Sequence, residues 1–226
     1  MKKTVCLFCL AAFVFSCKPP SYSYVPPAMN NIPYSKAGEG HLAVQMGTIF
    51  AARGGIALTK NINLNAWVGG IPSSDSGYKN QESEFSFGVQ TNPDDHACFN
   101  FYLGIANGKN EKVKTGLSGH YNRSFFQAQF GGFDLGDGNV KFDAYIGTRI
   151  NYLDYRGTKG GANFDDNLWY YEPFFGGTIG GKNVRFQIMQ GVAIKNSGDW
   201  GHGVRIFPYF AQIGLLVKIR KGNSAK

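Results

Sequence analysis

From residue 41 onward the chain alternates. In the run KFDAYIGTRINYLDY (141–155), Phe142, Ala144, Ile146 and Ile150 are apolar, whereas Lys141, Asp143, Arg149 and Asn151 are polar or charged. A period of two sends successive side chains to opposite faces of an extended strand, and no segment keeps an apolar i, i+3, i+4, i+7 pattern over a helix length. The pattern predicts ten strands, near 41–51, 53–59, 62–69, 83–91, 97–106, 124–133, 140–153, 167–179, 183–194 and 204–219.

The predicted connections fall into two sets. Lys60-Asn61, Asn92–Asp95, Asp134–Asn139 and Gly180–Lys182 are short and built from turn residues. Gly70–Glu82, Asn107–Arg123, Asp154–Asp166 and Lys195–Gly203 are long, polar and glycine-rich, and only the first connection, at Ala52-Arg53, departs from the rule. Short turns on one rim and long loops on the other are the arrangement of outer-membrane barrels. The expected fold is all-β: a single antiparallel up-and-down β-barrel of about ten strands (eight to ten), outer-membrane type, over 41–220. An even strand count places both chain ends on the turn side, which would be periplasmic.

Alternation alone does not say which face is wet, because a soluble carrier barrel also has one apolar and one polar face. The polar rows are rich in amides, glycine and rings rather than in the Lys and Glu of a solvated sheet. That content suits a narrow lumen where side chains interlock. Glu84, Gln90, Asn100, Gln127, Gln129, Lys141, Asp143, Arg149, Glu172 and Arg185 are therefore expected to face the lumen, with the acids as counter-ions for the bases. A ten-strand interior is narrow, which favours packing over conduction. The opposite rows, such as Phe85, Phe87, Val89, then Phe99, Phe101, Leu103, Ile105, and finally Phe207, Tyr209, Ala211, Ile213, Leu215, Val217, are expected in lipid. Trp169, Tyr170, Tyr171, Tyr152, Tyr155, Tyr209 and Trp200 lie near strand ends, where an interfacial girdle sits. Packed inward, the same phenylalanines would line an apolar ligand cavity.

Composition adds two points. Charged residues are 17% of the chain and Gly numbers 31 of 226, which suits crowded backbones and tight turns. The net charge of +8 is spread without a basic block, so nucleic-acid binding is not indicated. At the N-terminus, Met1-Lys2-Lys3 is followed by a twelve-residue apolar stretch, Thr4–Phe15, too short to span a bilayer as a helix. Ser16 directly before Cys17 resembles a lipobox, so residues 1–16 read as a lipoprotein signal peptide and Cys17 as the acylated, palmitate-type anchor. Cys6 and Cys9 leave with that leader, and Cys98 remains alone. Residues 17–40 hold five of the nine prolines and read as a linker whose Tyr22, Tyr24 and Tyr34 could tuck into the domain. Residues 221–226 read as a tail.

The stretches YVPPAMNNIPYSKAGEGHLAVQMG (24–47), GIALTKNINLNAWVGG (55–70), YYEPFFGGTIGGKNVRFQIMQG (170–191) and FPYFAQIGLLVKI (207–219) resemble a family of outer-membrane lipoprotein barrels of Bacteroides-type bacteria. The match includes Lys36-Ala37-Gly38-Glu39 at the start of strand one and Glu172-Pro173-Phe174-Phe175. The resemblance implies a membrane-associated barrel and carries over no activity.

Catalytic and metal signatures are weak. His41, His96, His120 and His202 are scattered, without ligand spacing, and no cofactor is implied. Asp134, Asp137 and Asn139 faintly suggest calcium, but a six-residue turn explains them. Ser118, His120 and Ser124 form a hydrolytic set only by nearness in sequence. The leading expectation is a non-enzymatic, lipid-anchored barrel of the outer membrane, with a packed lumen and a structural or interaction role. Its long loops would meet an extracellular or envelope protein. A periplasmic lipid-anchored barrel binding an apolar ligand and a lipid-modifying outer-membrane enzyme are the alternatives.

Overall fold

The computed structural model describes residues 24–25, 33–71, 77–91, 96–136, 138–196, 204 and 206–219. The leader, Cys17, most of the linker, Asp137, Trp200, His202 and the tail lie outside the described residues. The strands are β1 (Gly40–Gly47), β2 (Phe50–Ala57), β3 (Ile62–Ile71), β4 (Tyr78–Gln90), β5 (Ala97–Lys112) and β6 (Leu117–Leu135). They continue with β7 (Lys141–Lys159), β8 (Ala162–Gly180), β9 (Val184–Val192), the two-residue β10 (Ile194–Lys195) and β11 (Tyr209–Ile219).

Each strand pairs antiparallel with its neighbour, and β1 pairs with β11, Gly40 opposite Ile219, which closes the sheet. β10 continues β9 along the same partner: Gly191 faces Phe174, and Ile194 faces Tyr171. Between those pairs stands Pro173, which has no N–H to give to the ladder, so the strand is interrupted there. Counting β9 and β10 as one strand, the molecule is a closed ten-stranded antiparallel up-and-down barrel.

Burial shows which row faces inward. Along β4, Tyr78, Asn80, Glu82, Glu84, Ser86 and Gln90 are buried, and Phe85, Phe87 and Val89 are exposed. Along β5, Asn100 and Tyr102 are buried while Phe99, Phe101, Leu103 and Ile105 are exposed. The polar face is the inside and the apolar face the outside, the inverse of a water-soluble domain and the arrangement of an outer-membrane-type barrel.

The wall is uneven. β6, β7 and β8 have 19 residues each, whereas β1 and β2 have 8. A bilayer is crossed by about 9–11 tilted residues, so strands of 19 residues are longer than a crossing needs. The outward row changes from Phe85 to Ser83, Ile105 to Asn107, Phe126 to Ser124 and Trp169 to Asn167. Trp169 and Tyr152 pack together at that boundary, ring centroids 5.1 Å apart.

Five expectations change here. Asn107–Arg123 is not a loop: β5 runs to Lys112, a single 3₁₀ turn spans Val113–Thr115 with Gly116 left-handed behind it, and β6 begins at Leu117. Asp154–Asp166 is likewise a strand pair closed by Gly160-Gly161. Both segments look irregular in sequence because their outward side chains meet water, so both faces carry polar residues. The first connection is at Thr48-Ile49, and Arg53 sits inside β2 with its side chain buried. Tyr155 and Tyr170 are not girdle residues but are fully buried on the inward row. In the last strand Phe207 and Ala211 are buried and Tyr209 is half-buried: β11 begins only at Tyr209, and Phe207 packs with Val25, Ile49 and Trp67.

Candidate functional site

The interior is the chemically distinctive region, and it is built in layers. On the turn side, Arg185 donates from Nη1 to Asp143 Oδ1 at 2.6 Å and from Nη2 to Asp134. Lys218 Nζ lies 3.3 Å from Asp134, and Thr178 Oγ1 donates to Asp143 Oδ2 at 2.5 Å. Asp134 holds a positive φ of 53° near the end of β6, where the register with β7 shifts between Gly132 and Leu135. That geometry lets its N–H reach Asp143 Oδ1 at 2.8 Å. Its carboxylate is thus satisfied by two bases. Among the described residues no three His, Cys, Asp or Glu side chains group as a metal site.

Beside this layer, residues ahead of β1 enter the lumen. Tyr34 is buried, its hydroxyl donates to Asn65 Oδ1 at 3.1 Å, and it lies 2.7 Å from His41 Nδ1. Its backbone N–H donates to Gln90 Oε1 at 3.0 Å.

Further in, Arg53 Nη2 and Gln45 Nε2 both donate to Gln187 Oε1, at 2.8 and 2.9 Å. Cys98, Phe133, Tyr145, Phe174, Met189 and Phe210 fill the space next to them with apolar groups.

The centre is an ion network. Arg123 Nη2 stands 2.6 Å from both Glu82 Oε1 and Glu84 Oε2, and Arg149 Nη1 is 3.0 Å from the same Glu84 oxygen. Arg149 also donates from Nε and Nη2 to Gln127 Oε1, at 3.1 and 2.8 Å. Its guanidinium lies 4.0 Å from the centroid of Phe125, and that of Arg123 lies 5.0 Å from it on the same ring. Asn151 links the outer members, accepting from Arg123 Nη1 at 3.0 Å and donating to Glu172 Oε2 at 3.0 Å. Two guanidiniums and three carboxylates interlock here around one ring, side chains fully buried. Pairing and multiple hydrogen bonds are what make such burial tolerable.

Above the network the interior turns aromatic. Tyr24, Tyr121, Leu153, Tyr155, Leu168, Tyr170, Ala193, Val204 and Ile206 form one buried cluster, with Phe164 against it. Glycine makes room for the rings: a Cβ on Gly108 would fall 2.1 Å from Tyr121 Cζ, and one on Gly119 would fall 2.1 Å from Tyr155 Oη. This is a physical reason for the high glycine content of the tall hairpins.

Of the residues singled out in the sequence, Glu84, Gln90, Asn100, Gln127, Gln129, Asp143, Arg149, Glu172 and Arg185 are buried on the inward row. Lys141 differs. It stands half-exposed at the rim, its Nζ donating to the Gly136 carbonyl. Arg123 and Glu82 were missed because they close segments that look like loops; the odd-even alternation that continues through Gly119, Tyr121 and Arg123 was the available signal. Ser118, His120 and Ser124 lie on the outward row of β6, exposed. The phenylalanines of the apolar face, among them Phe85, Phe87, Phe99 and Phe101, are exposed on the outside and do not point into the lumen.

No family model matches the chain, and no curated protein matches it. Among solved structures it is similar to LpxR from Salmonella typhimurium, at 8% sequence identity and a TM-score of 0.39, over 81% of this chain and 100% of that one.

Proposed function

We propose that this chain is a membrane-spanning, non-conducting barrel of the outer membrane. It carries an acyl anchor at Cys17, and the hairpins β5–β6 and β7–β8 engage an extracellular or envelope protein. One observation carries the reading: the outward row turns from apolar to polar at Ser83, Asn107, Ser124 and Asn167, while the strands continue and the inward aromatic cluster continues with them. Two hairpins packed rigidly above the lipid belt offer a preformed surface, and surfaces on rigid scaffolds are where recognition is carried. The interlocked ions of the lumen support a plug rather than a pore.

A photo-crosslinking side chain placed at Lys109 or His120, on the outward wall of the first hairpin, tests the interaction in intact cells against the same group at Phe101 in the belt. A discrete protein adduct from the hairpin positions alone is expected, and its absence from both ends the interaction reading. Planar-bilayer recording of the folded protein tests the plug, with no stepwise conductance expected.

A further inference from the structure

The segment before β1 touches the barrel interior at two levels. Tyr34 lies at the turn rim, bound to Gln90, the last residue of β4, and next to His41, the second residue of β1. Tyr24 lies in the other half, its ring 5.3 Å from both Tyr121 and Tyr170 in the aromatic cluster above the ion network. Tyr24, Val25 and Tyr34 are 0%, 1% and 3% exposed, so all three are inside the closed wall.

Chain direction is fixed by a second observation. Tyr24 forms a parallel bridge with Ile206, and Phe207 N–H donates to the Tyr24 carbonyl at 2.9 Å. From Ile206 the chain continues into β11, which runs from the rim of the tall hairpins down to Ile219, opposite Gly40 at the turn rim. A segment parallel to it runs the same way. Tyr24 to Val25 therefore points from the tall rim toward the turn rim, where Tyr34 is found. Val25 and Pro33 are eight residues apart, a reach of at most about 28 Å. That is enough to pass down the interior, and too little to climb over the rim and descend outside the wall through lipid.

We propose that the N-terminal segment is threaded through the barrel and enters it at the rim of the tall hairpins. An acylated Cys17 is then inserted in the membrane leaflet on that side, not in the leaflet on the short-turn side. This rests on the reading of Cys17 as a lipid anchor. The even strand count places Gly40 on the turn side, but it says nothing of the path before Gly40, and that path reverses the position of the terminus. The low part of the wall allows the anchor to reach lipid. Val25 clusters with Ile49, Ala51 and Trp67, beneath the β1–β2 turn, where the wall is shortest and Phe50 keeps the outward row apolar to the edge. Cys17 is seven residues ahead of Tyr24, a tether of about 25 Å at full extension.

The test is single-cysteine labelling of the full chain in intact diderm cells with a charged maleimide that does not cross the outer membrane. Three variants are compared with the parent: Ser21→Cys in the segment, Lys114→Cys at the tip of the β5–β6 hairpin, and Lys182→Cys in the β8–β9 turn. Ser21→Cys and Lys114→Cys are expected to label in intact cells, and Lys182→Cys only once the outer membrane is permeabilised. If Ser21→Cys sides with Lys182→Cys, the threading is overturned and the spanning barrel stands. If Lys114→Cys and Lys182→Cys label alike, the barrel does not span, and the proposal falls with the function it rests on. The mass of the N-terminal peptide tests the acyl group separately: an unmodified Cys17 removes the anchor from the proposal, while Ser21→Cys still decides the path.

Discussion

Replacing Arg149 by Met keeps much of the side chain's length and removes its charge from the centre of the lumen. Arg149 is fully buried, 3.0 Å from Glu84, doubly bonded to Gln127 and stacked on Phe125. Breaking a buried ion pair costs about 3–5 kcal/mol, because the partner is left buried and under-compensated. Here Glu84 retains Arg123 at 2.6 Å, which places the expected loss at the low end, about 3 kcal/mol or roughly 150-fold in the folding equilibrium constant. Glu84→Gln, which removes the charge on the other side, should be coupled to it, the pair costing about 1–3 kcal/mol less than the two single losses together. The assay is equilibrium urea unfolding in lipid vesicles, followed by tryptophan fluorescence and by heat-dependent gel mobility, whose coincidence checks two-state behaviour. A loss under about 1 kcal/mol with no coupling would mean that these ions behave as hydrated surface pairs. The lumen would then be wet, and the packed plug would be wrong.

Other outcomes follow from the same geometry. Leu103→Arg places a charge on the lipid face of β5 and should cost about 2–4 kcal/mol of stability in vesicles. Leu103→Cys should react with a lipid-soluble maleimide and resist a charged one. Gly108→Val sets side-chain atoms where Tyr121 already sits, 2.1 Å from the added Cβ; a loss of about 1–3 kcal/mol is expected, relieved in the same urea titration by Tyr121→Ala. Tyr24→Ala empties the space between Tyr121 and Tyr170 and should cost about 3–5 kcal/mol, measured as before, while the strand content in circular dichroism stays unchanged.

The lipid belt was legible because lipid makes alternation sharp: Phe99, Phe101 and Leu103 against Asn100 and Tyr102 needs one decision, and burial agrees with it. Beyond the membrane the same strands lose that contrast. His120 and Asn122 meet water, Tyr121 and Arg123 meet the interior, and four polar or amphipathic residues in a row look like a loop. The last strand misled for the opposite reason, since Phe207, Phe210 and Ala211 are apolar and buried together, so parity alone could not assign them. The lumen pairs Arg149–Glu84 and Arg185–Asp143 join strands distant in sequence; composition names the acids and bases, but only closure of the sheet decides which of them meet. The burial of Tyr24 and Tyr34 is one of two readings the sequence left open, because a proline-rich stretch has the composition of a spacer whether it hangs free or fills a cavity.

A cylinder that encloses Tyr24 and Tyr34 imposes an order of events on its own biogenesis. The β1–β11 seam joins the two ends of the sheet, and a terminus acylated as proposed could not be fed through once it is zipped, because acyl chains will not pass a lumen filled by guanidiniums and rings. The leading residues must already lie along the nascent sheet when the seam closes, so the wall is wrapped around them as a mould is around its core. On the proposed threading, maturation of the terminus comes first and strand closure last.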